Sequence, residues 1–271
     1  MKLIAIRHAL CALASFALTP AIHAQPGPEI QPTSVELTAQ PGETRRQVLT
    51  LTNTGEQEQA LTIGLADWTL SRDGALRLSP PAPAASPVTE WVRFTPAYVT
   101  IPPGERRRVI VDVAIPEDLP HAGDYRFAVL ASAIEPDART GLMEKTELSS
   151  LFYLTASPAV SDPVVTDIRL QRRSGGSPVL EVDLSNSGNA HARLDGEIVI
   201  TGKTGERIVL PVSNLVVLES QQRRFSVPVK QDIPQDARVT VTLDNIFAPQ
   251  AGSGVAPLRE FSSPLSAPGT P

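Results

Sequence analysis

The residues that could carry out chemistry are few and widely separated along this chain. Of the four histidines, His8 and His23 lie in the N-terminal segment, which leaves His121 and His191 for the rest of the protein. A metal site needs ligands at close spacing, whereas these two histidines are distant in sequence and are predicted to be turn or surface residues. We therefore predict no metal site and no cofactor.

Motifs for nucleophilic catalysis or phosphate binding are also weak. The segment "AGSGV" (residues 251–255) lacks the first glycine of a nucleophile elbow. The segment "RSGGS" (residues 173–177) is typical of a hairpin turn, and the sequence has no GxGxxG motif. Glu117 and Asp118 fall in a polar connection, where solvated charges are expected. These observations predict that the protein is not an enzyme.

The elements that would have to position functional residues are predicted to be β-strands. Apolar and polar residues alternate in "RRQVLTLTN", "RRRVIVDVAIP" and "RVTVTLDNI", which is the period of a strand. Prolines and glycines punctuate the sequence from residue 33 to residue 243, as expected for turns between short strands. The sequence therefore predicts an all-β fold.

A repeated pattern divides the chain into two parts. Residues 48–68, "VLTLTNTGEQEQALTIGLADW", are echoed by residues 180–200, "LEVDLSNSGNAHARLDGEIVI". Each copy has a strand, an Asn-x-Gly turn and a second strand, and we expect the turn to supply a residue with positive φ. The repeat predicts two β-sandwiches, with domains at residues 25–157 and 158–247.

The two ends of the chain differ in composition from the rest. Residues 1–24 contain Lys2 and Arg7, a short apolar run and small residues up to Ala24, which is the layout of a cleavable secretory signal peptide. The alternative is a membrane anchor, but the apolar run is too short to span a bilayer comfortably. Residues 248–271 are rich in glycine, proline and small residues, and we expect a disordered tail.

Export and charge restrict the possible partners. Cys11, the one cysteine, lies in the signal peptide, so the mature chain must be stabilised by its core without disulfides. Removal of Lys2 and Arg7 changes the formal net charge from −5 to −7, which gives no general attraction for nucleic acid or anionic lipid. We predict a periplasmic protein with no membrane insertion of the mature chain.

Three aromatic residues are predicted to be structural. Trp68 ends an alternating strand, and Trp91 follows a proline-rich loop. Tyr125 opens a strand after a glycine, where sandwich folds often fix a corner through the tyrosine hydroxyl. We assign all three to the core.

The order of several elements resembles the first domain of the PapD-like periplasmic chaperones of pilus and fimbrial assembly. These elements are the Asn-x-Gly turn, "WVRFTPAYVTIPPGERRRVIVDV" and "GDYRFAVLAS", and the similarity is strongest over residues 35–156. The resemblance implies two immunoglobulin-like β-sandwich domains in tandem. It also implies a chaperone that pairs a strand with exported pilin-like subunits and works with an outer-membrane usher.

Two features differ from that family. Its members hold the terminal carboxylate of the subunit with an arginine on the first strand and a lysine on the last strand of the first domain. Here the first strand, "SVELTAQ", has no basic residue, and Lys145 matches the lysine only loosely. The apolar face of the last strand is interrupted by Ser150.

The resemblance places the client-binding strand at residues 146–155, which we expect at a sheet edge beside the cleft between the domains. The predicted client contacts are Lys145, Leu148, Leu151, Phe152 and Leu154. The alternative for the apolar residues is that one face of the strand packs in its own core. A second function also stays open, because the part around "NSGNAHARLDGEIVITGKTGERIVL" is similar to Ig-like modules of cell-surface or cell-wall scaffold proteins.

Overall fold

The computed structural model describes residues 27–84, 86–136, 140–171, 177–234, 236–247 and 259–264. The predicted signal peptide, residues 1–24, lies outside these ranges. Within them we find no helix with the length and apolar character needed to cross a membrane.

The first half of the chain forms two facing sheets. Their strands are β1 (Pro28–Gln31), β2 (Ser34–Ala39), β3 (Thr44–Asn53), β4 (Gln59–Leu70), β5 (Leu76–Ser79), β6 (Val92–Thr95), β7 (Tyr98–Ile101), β8 (Arg106–Ala114), β9 (Gly123–Pro136) and β10 (Met143–Ala156). One sheet has the order β1-β3-β8-β6, and the other has the order β2-β10-β9-β4-β5, with β7 also paired to β4.

The alternation of the sequence explains the core between these sheets. On β8, Val109, Val111 and Val113 are buried, whereas their neighbours are exposed or half-buried. The rings of Phe127 (β9) and Phe152 (β10) stack inside the core with centroids 4.5 Å apart, and both side chains are fully buried. Because side chains of a strand point alternately to its two faces, each sheet presents one apolar face to the other.

The second half of the chain forms a second pair of sheets. Its strands are β11 (Pro163–Gln171), β12 (Val179–Asn186), β13 (Ala192–Thr201), β14 (Arg207–Val217), β15 (Gln221–Pro228), β16 (Arg238–Asn245) and β17 (Arg259–Pro264). The sheet orders are β11-β12-β15 and β14-β13-β16-β17. The predicted fold class, two immunoglobulin-like β-sandwiches in tandem, is confirmed. The predicted boundary at residue 157 falls in the connection between β10 and β11.

The repeated Asn-x-Gly turns are present in both sandwiches, but the expectation that their glycines supply a positive φ is wrong. Neither Gly55 nor Gly188 has a positive φ. The asparagine side chains are the important groups instead, because Asn53 and Asn186 are buried and each accepts a hydrogen bond from the amide of the glycine two residues later. A Cβ at Gly188 would lie 2.0 Å from the carbonyl oxygen of Val160, so the glycine permits a close backbone approach.

The prediction of a disordered tail over residues 248–271 is wrong for part of it. Residues Arg259–Pro264 form β17, which pairs antiparallel with β16 from Leu243 to Arg238. The composition argument failed because backbone hydrogen bonds to an open sheet edge require no particular side chains.

Candidate strand-binding edge and the junction of the two sandwiches

Strand β10 has two halves with different neighbours. It pairs antiparallel with β9 along its whole length. Only from Leu151, which lies opposite Ser34, does it also pair in parallel with β2. Among the described strands none pairs with the other edge of residues 143–150. The first half of β10 is therefore an open sheet edge.

The edge is open because the chain changes sheets just before β2. The segment between β1 and β2 crosses from the sheet of β3 to the sheet of β10. Two hydrogen bonds hold this crossing: the Ser150 hydroxyl donates to the carbonyl of Pro32 at 2.7 Å, and the Leu151 amide donates to that of Thr33 at 2.9 Å. Ser150 is buried, so the serine that interrupts the apolar face has a structural use.

The backbone groups of this edge have a defined direction. Each residue of a strand directs both its N–H and its C=O to one edge, and the next residue directs both to the other edge. The Leu151 amide points to the side of β2. Lys145, Glu147 and Ser149 therefore direct their amides to the open edge. An incoming strand could take up the position that β2 leaves vacant.

A groove lies beside the open edge. It has a volume of about 770 Å³ and is lined by residues 28–34 on one side and residues 147–149 on the other. Ile30 is buried in the core of the first sandwich, and Leu148 is half-buried against it. Glu29 and Glu147 contribute negative charge to the rim. The groove thus combines an apolar floor, a row of backbone groups and a polar rim.

The predicted apolar contacts are not together on this surface. Phe152 and Leu154 are 0% and 1% exposed and belong to the core of the first sandwich. Leu151 lies on the opposite face and is half-buried against the junction described below. For Phe152 and Leu154 the packing alternative is therefore correct, and neither can contact a client unless the core opens. Leu148 alone of the four lines the groove.

Lys145 is far from the cleft between the sandwiches. It is exposed, and its Nζ lies 2.6 Å from the Glu147 Oε1. Because Leu151 of β10 already packs against the junction, about six residues or ~20 Å of strand separate Lys145 from it. The predicted strand, residues 146–155, was expected beside the cleft, and its second half does contact the junction. The contact of Lys145 with a client stays a prediction, and it would be made at the open edge.

The two sandwiches share an apolar cluster at their junction. Tyr153 and Trp68 from the first sandwich pack there edge to face with centroids 4.9 Å apart, together with Leu218 from the second. The Trp68 indole donates a hydrogen bond to the carbonyl of Phe127 at 3.0 Å. Trp68 is 4% exposed, so it is a core residue as predicted. Its core is the cluster at the junction, to which both sandwiches contribute.

A buried histidine lies next to this cluster. His191 was predicted to be a turn or surface residue, and it does lie in the connection between β12 and β13, but its side chain is not at the surface. His191 is 0% exposed, and its Nδ1 lies 2.6 Å from the Asp124 Oδ2. Its backbone amide donates to the same oxygen at 2.7 Å. On the other side of the ring, Nε2 lies 3.6 Å from the Glu36 Oε1. Asp124 and Glu36 both belong to the first sandwich, so His191 bridges the two sandwiches.

Arg193 extends this polar contact. Its Nε donates to the Glu36 Oε1 at 2.6 Å, and its guanidinium lies over the Tyr153 ring. The pKa of Glu36 is lowered by its contacts with His191 and Arg193, against the opposing effect of burial. Burial raises the pKa of Tyr153 to about 12. Glu36 lies on the predicted first strand, which is β2 in the structure. It is thus an acid that is already paired, where the resemblance would imply a basic residue.

This constellation lacks the connectivity of a catalytic triad. The Thr155 hydroxyl donates to Asp124 at 2.6 Å, and the Ser161 hydroxyl donates to the backbone carbonyl of His191. In a triad the hydroxyl bonds to the imidazole, but neither hydroxyl does so here. His191 is also completely buried, so no substrate can reach its ring.

Further ion pairs of the described residues cross the junction. Arg126 contacts Glu219, whose pKa is raised by burial in spite of the arginine. Arg72, at the turn after β4, lies 3.1 Å from Asp183 in the second sandwich. The pKa of Asp183 is lowered, mainly by hydrogen bonding to Arg224. The junction is therefore held by apolar and by charged contacts.

The other two predicted core aromatics lie in the first sandwich. Tyr125 is 4% exposed, and its hydroxyl donates to the His121 carbonyl at 2.5 Å and accepts from the His121 amide at 3.0 Å. This is the corner that the sequence predicts. Trp91 ends a short 3₁₀ segment, Pro87–Trp91, and is half-buried against the core, with its ring 4.8 Å from that of Tyr125.

No protein-family model matches the sequence, and no curated protein matches it. Among solved structures, the chain is similar to the class 5 fimbriae chaperone CfaA, with 13% identity, 89% of this chain and 100% of the other covered, and a TM-score of 0.44. It is also similar to the E. coli chaperone DraB, with 13% identity, coverage of 89% and 98%, and a TM-score of 0.42.

A third similar structure is the complex of the Salmonella enterica SafA pilin with the SafB chaperone, with 13% identity, coverage of 90% and 98%, and a TM-score of 0.44. These are proteins of the class that the sequence resembles. At such identities and TM-scores, however, the matches say nothing about the function of this chain.

Proposed function

We propose that this protein is a non-enzymatic, exported chaperone-like protein that binds an extended strand of an exported subunit, of the pilin type, at the open edge of β10. The observation that carries the proposal is the incomplete coverage of β10, which β2 accompanies only from Leu151 onward. An unpaired row of backbone donors and acceptors favours the addition of another strand.

The length of the edge limits what can bind. Residues 143–150 offer a site for about eight residues, and an incoming strand would lie in line with β2. The amides and carbonyls of Lys145, Glu147 and Ser149 would supply the hydrogen bonds, so backbone pairing would contribute most of the affinity. Apolar side chains of the guest on one face would contact Ile30 and Leu148 in the groove.

The predicted signal peptide supports the compartment. We infer that the mature protein begins near Gln25 and resides in the periplasm, where it meets subunits in transit to the cell surface, with an outer-membrane usher as a further partner. N-terminal sequencing of the protein recovered from the periplasm should find the mature end near Gln25. An intact Met1 on cytoplasmic protein would contradict this inference.

The test of the binding site uses proline on the open edge. Proline lacks an amide hydrogen and is tolerated in an edge strand where that hydrogen would face solvent. Ser149→Pro should therefore remove a guest-binding donor without breaking the ladder to β9. We expect a folded variant, by circular dichroism, that no longer co-purifies from the periplasm with the subunits that mass spectrometry identifies for wild type.

Ser149→Ala is the matched control and should retain its partners, because it keeps the amide. If folded Ser149→Pro retains the same partners undiminished, the edge of β10 is not the site. If wild type co-purifies with cell-wall or surface proteins and no pilin-type subunit, the scaffold function is correct instead. Substitutions of Phe152 are unsuitable here, because its burial means that they would damage the core.

A further inference from the structure

His191 is placed so that its proton affects how the two sandwiches are joined. Its ring lies between two carboxylates of the first sandwich, Asp124 on β9 and Glu36 on β2, at 2.6 Å and 3.6 Å from its two nitrogens. His191 itself precedes β13 of the second sandwich. No part of the ring is open to water, since the residue is 0% exposed.

The two protonation states of His191 fit this site differently. Deprotonated Asp124 can only accept hydrogen bonds, so Nδ1 must carry a proton toward it. In neutral imidazole Nε2 then has no proton and presents a lone pair to the Glu36 carboxylate, and this nitrogen is buried without a hydrogen-bond partner. In the imidazolium Nε2 carries a proton toward that carboxylate. At 3.6 Å this contact is too long for a hydrogen bond, so the charged form differs from the neutral form by the electrostatic attraction between the imidazolium and the Glu36 carboxylate.

All neighbouring charges have to be considered. Besides Asp124 and Glu36, Arg193 on β13 pairs with Glu36, and the Tyr153 ring on β10 lies 4.4 Å from the imidazole. Glu219, after β14, also interacts electrostatically with His191. The ring of Phe247 stacks on the remaining face with centroids 4.0 Å apart. Arg193 opposes the imidazolium, whereas the three carboxylates favour it.

Burial acts against the charged form and by itself would lower the pKa of His191. The hydrogen bond to Asp124 and the attraction of the two carboxylates outweigh burial, so that the pKa of His191 is raised above its ordinary value. Because the pKa is raised in the folded state, the stabilising contribution is complete below about pH 6.5, the unfolded value. It is lost as the pH rises through the folded-state pKa.

We propose that His191 is a pH-sensitive latch, which as imidazolium ties β2 and β9 of the first sandwich to the second sandwich, and which loosens the junction when it loses its proton as the pH rises. The latch lies at the Ala156 end of β10, away from the open edge, and does not depend on the proposed function.

The test measures the distance between the sandwiches at two pH values. The mature chain has no natural cysteine, so spin labels can be placed at Glu56→Cys and Thr204→Cys, two exposed turn positions in different sandwiches. Electron paramagnetic resonance should give one narrow distance distribution at pH 5.5 and a broader one at pH 9. The pKa of His191, measured by nuclear magnetic resonance, should lie above 6.5.

Three variants show which group is responsible for the pH effect. Glu36→Gln should lower the pKa of His191 and reduce the broadening, and His191→Gln should abolish the difference between the two pH values. His121→Gln is the matched control, because His121 is the other histidine of the described residues and stacks on Tyr125; it should behave as wild type. Glu36 is one-third exposed, so its variant remains informative if His191→Gln fails to fold.

Equal distributions at pH 5.5 and pH 9 in the wild-type background would overturn the proposal. A pH effect that persists unchanged in folded His191→Gln or in Glu36→Gln would overturn it as well, because another group would then be responsible.

Discussion

Two buried asparagines perform the same task at matching places in the two sandwiches. The Asn53 amide donates to the carbonyls of Gln57 and Ile101 at 2.6 and 2.9 Å. The Asn186 amide donates to the carbonyl of Ala190 at 2.8 Å and to that of Val217 at 3.2 Å. Each side chain closes its own turn and reaches a second segment. A single polar residue thereby satisfies backbone groups that the turn would otherwise leave buried and unpaired.

Asn53→Ala should consequently destabilise the protein. The variant leaves the buried carbonyl of Ile101 without its partner and the half-buried amide of Gly55 without an acceptor, and a buried unpaired group costs about 1–3 kcal/mol. We expect a loss of about 2–4 kcal/mol in the free energy of unfolding, measured in urea. Gln57→Ala, at an exposed site in the same turn, should change it by less than about 0.5 kcal/mol. Similar values for both variants would contradict this role of Asn53.

The hydroxyl of Tyr125 provides a second prediction at the scale of one residue. Tyr125→Phe keeps the ring in the core but removes the two hydrogen bonds to the backbone of His121. We expect a loss of about 1–2 kcal/mol in the free energy of unfolding. Tyr98→Phe removes a hydroxyl from a residue that is 57% exposed and should have almost no effect in the same urea titration. An equally small effect at Tyr125 would show that the corner contributes nothing.

At the scale of the element, β10 combines an open edge, a core strand and part of the junction. Among the described strands none lies beside its first half on the side of β2, and its second half is the centre of the path β2-β10-β9. Its even-numbered residues from Leu148 to Leu154 face the first core, and its odd-numbered residues Leu151 and Tyr153 face the junction. One strand therefore connects the candidate binding surface to the interface of the two sandwiches.

Hydrogen exchange should reveal the boundary between the two halves of β10. The amides of Glu147 and Ser149 point to the open edge, whereas those of Tyr153 and Thr155 point to β2. We expect the first pair to exchange faster by more than about tenfold, which corresponds to about 1.4 kcal/mol of opening free energy. The amide of Leu148, which points to β9, is the internal control and should be protected. Equal protection at all edge-facing positions would mean that another segment covers the edge.

The sequence was sufficient to predict elements but not their long-range partners. Alternation such as Val109, Val111 and Val113 indicates a strand with one buried face, and this prediction needs only local information. By contrast, His191 contacts Asp124, which is 67 residues away, and that contact depends on how two sandwiches are placed together. The sequence also could not decide how Phe152 and Leu154 are buried. An apolar face of a strand can be covered either by a guest strand or by the core of its own sandwich.

At the scale of the whole molecule, the junction should make the two sandwiches unfold together. Trp68 packs there with Tyr153 and Leu218, and ion pairs of Arg126 and Arg72 cross to the second sandwich. Separation of the sandwiches would expose this cluster and leave Glu219 and Asp183 without these partners. An interface of this kind couples domains that each have a core of their own.

The two tryptophans allow this coupling to be measured. The chain has two tryptophans, so Trp91→Phe leaves Trp68 as the fluorescent reporter of the junction. In urea at pH 6, where His191 is charged, we expect the fluorescence of Trp68 and the circular dichroism of all strands to change at the same midpoint. Trp68→Ala should lower the midpoint of the circular dichroism transition, because the loss of a buried indole costs about 3–5 kcal/mol.

The order of the two signals decides the outcome. If the junction were weaker than the sandwiches, Trp68 would become exposed at a lower urea concentration, while the far-ultraviolet signal of the strands would still be native. Such a separation at pH 6 would contradict the shared core. Once the pH has risen above the folded-state pKa of His191, the latch has lost its proton, and the fluorescence transition should move to lower urea than the circular dichroism transition. Glu36→Gln should show a smaller difference between pH 6 and that higher pH.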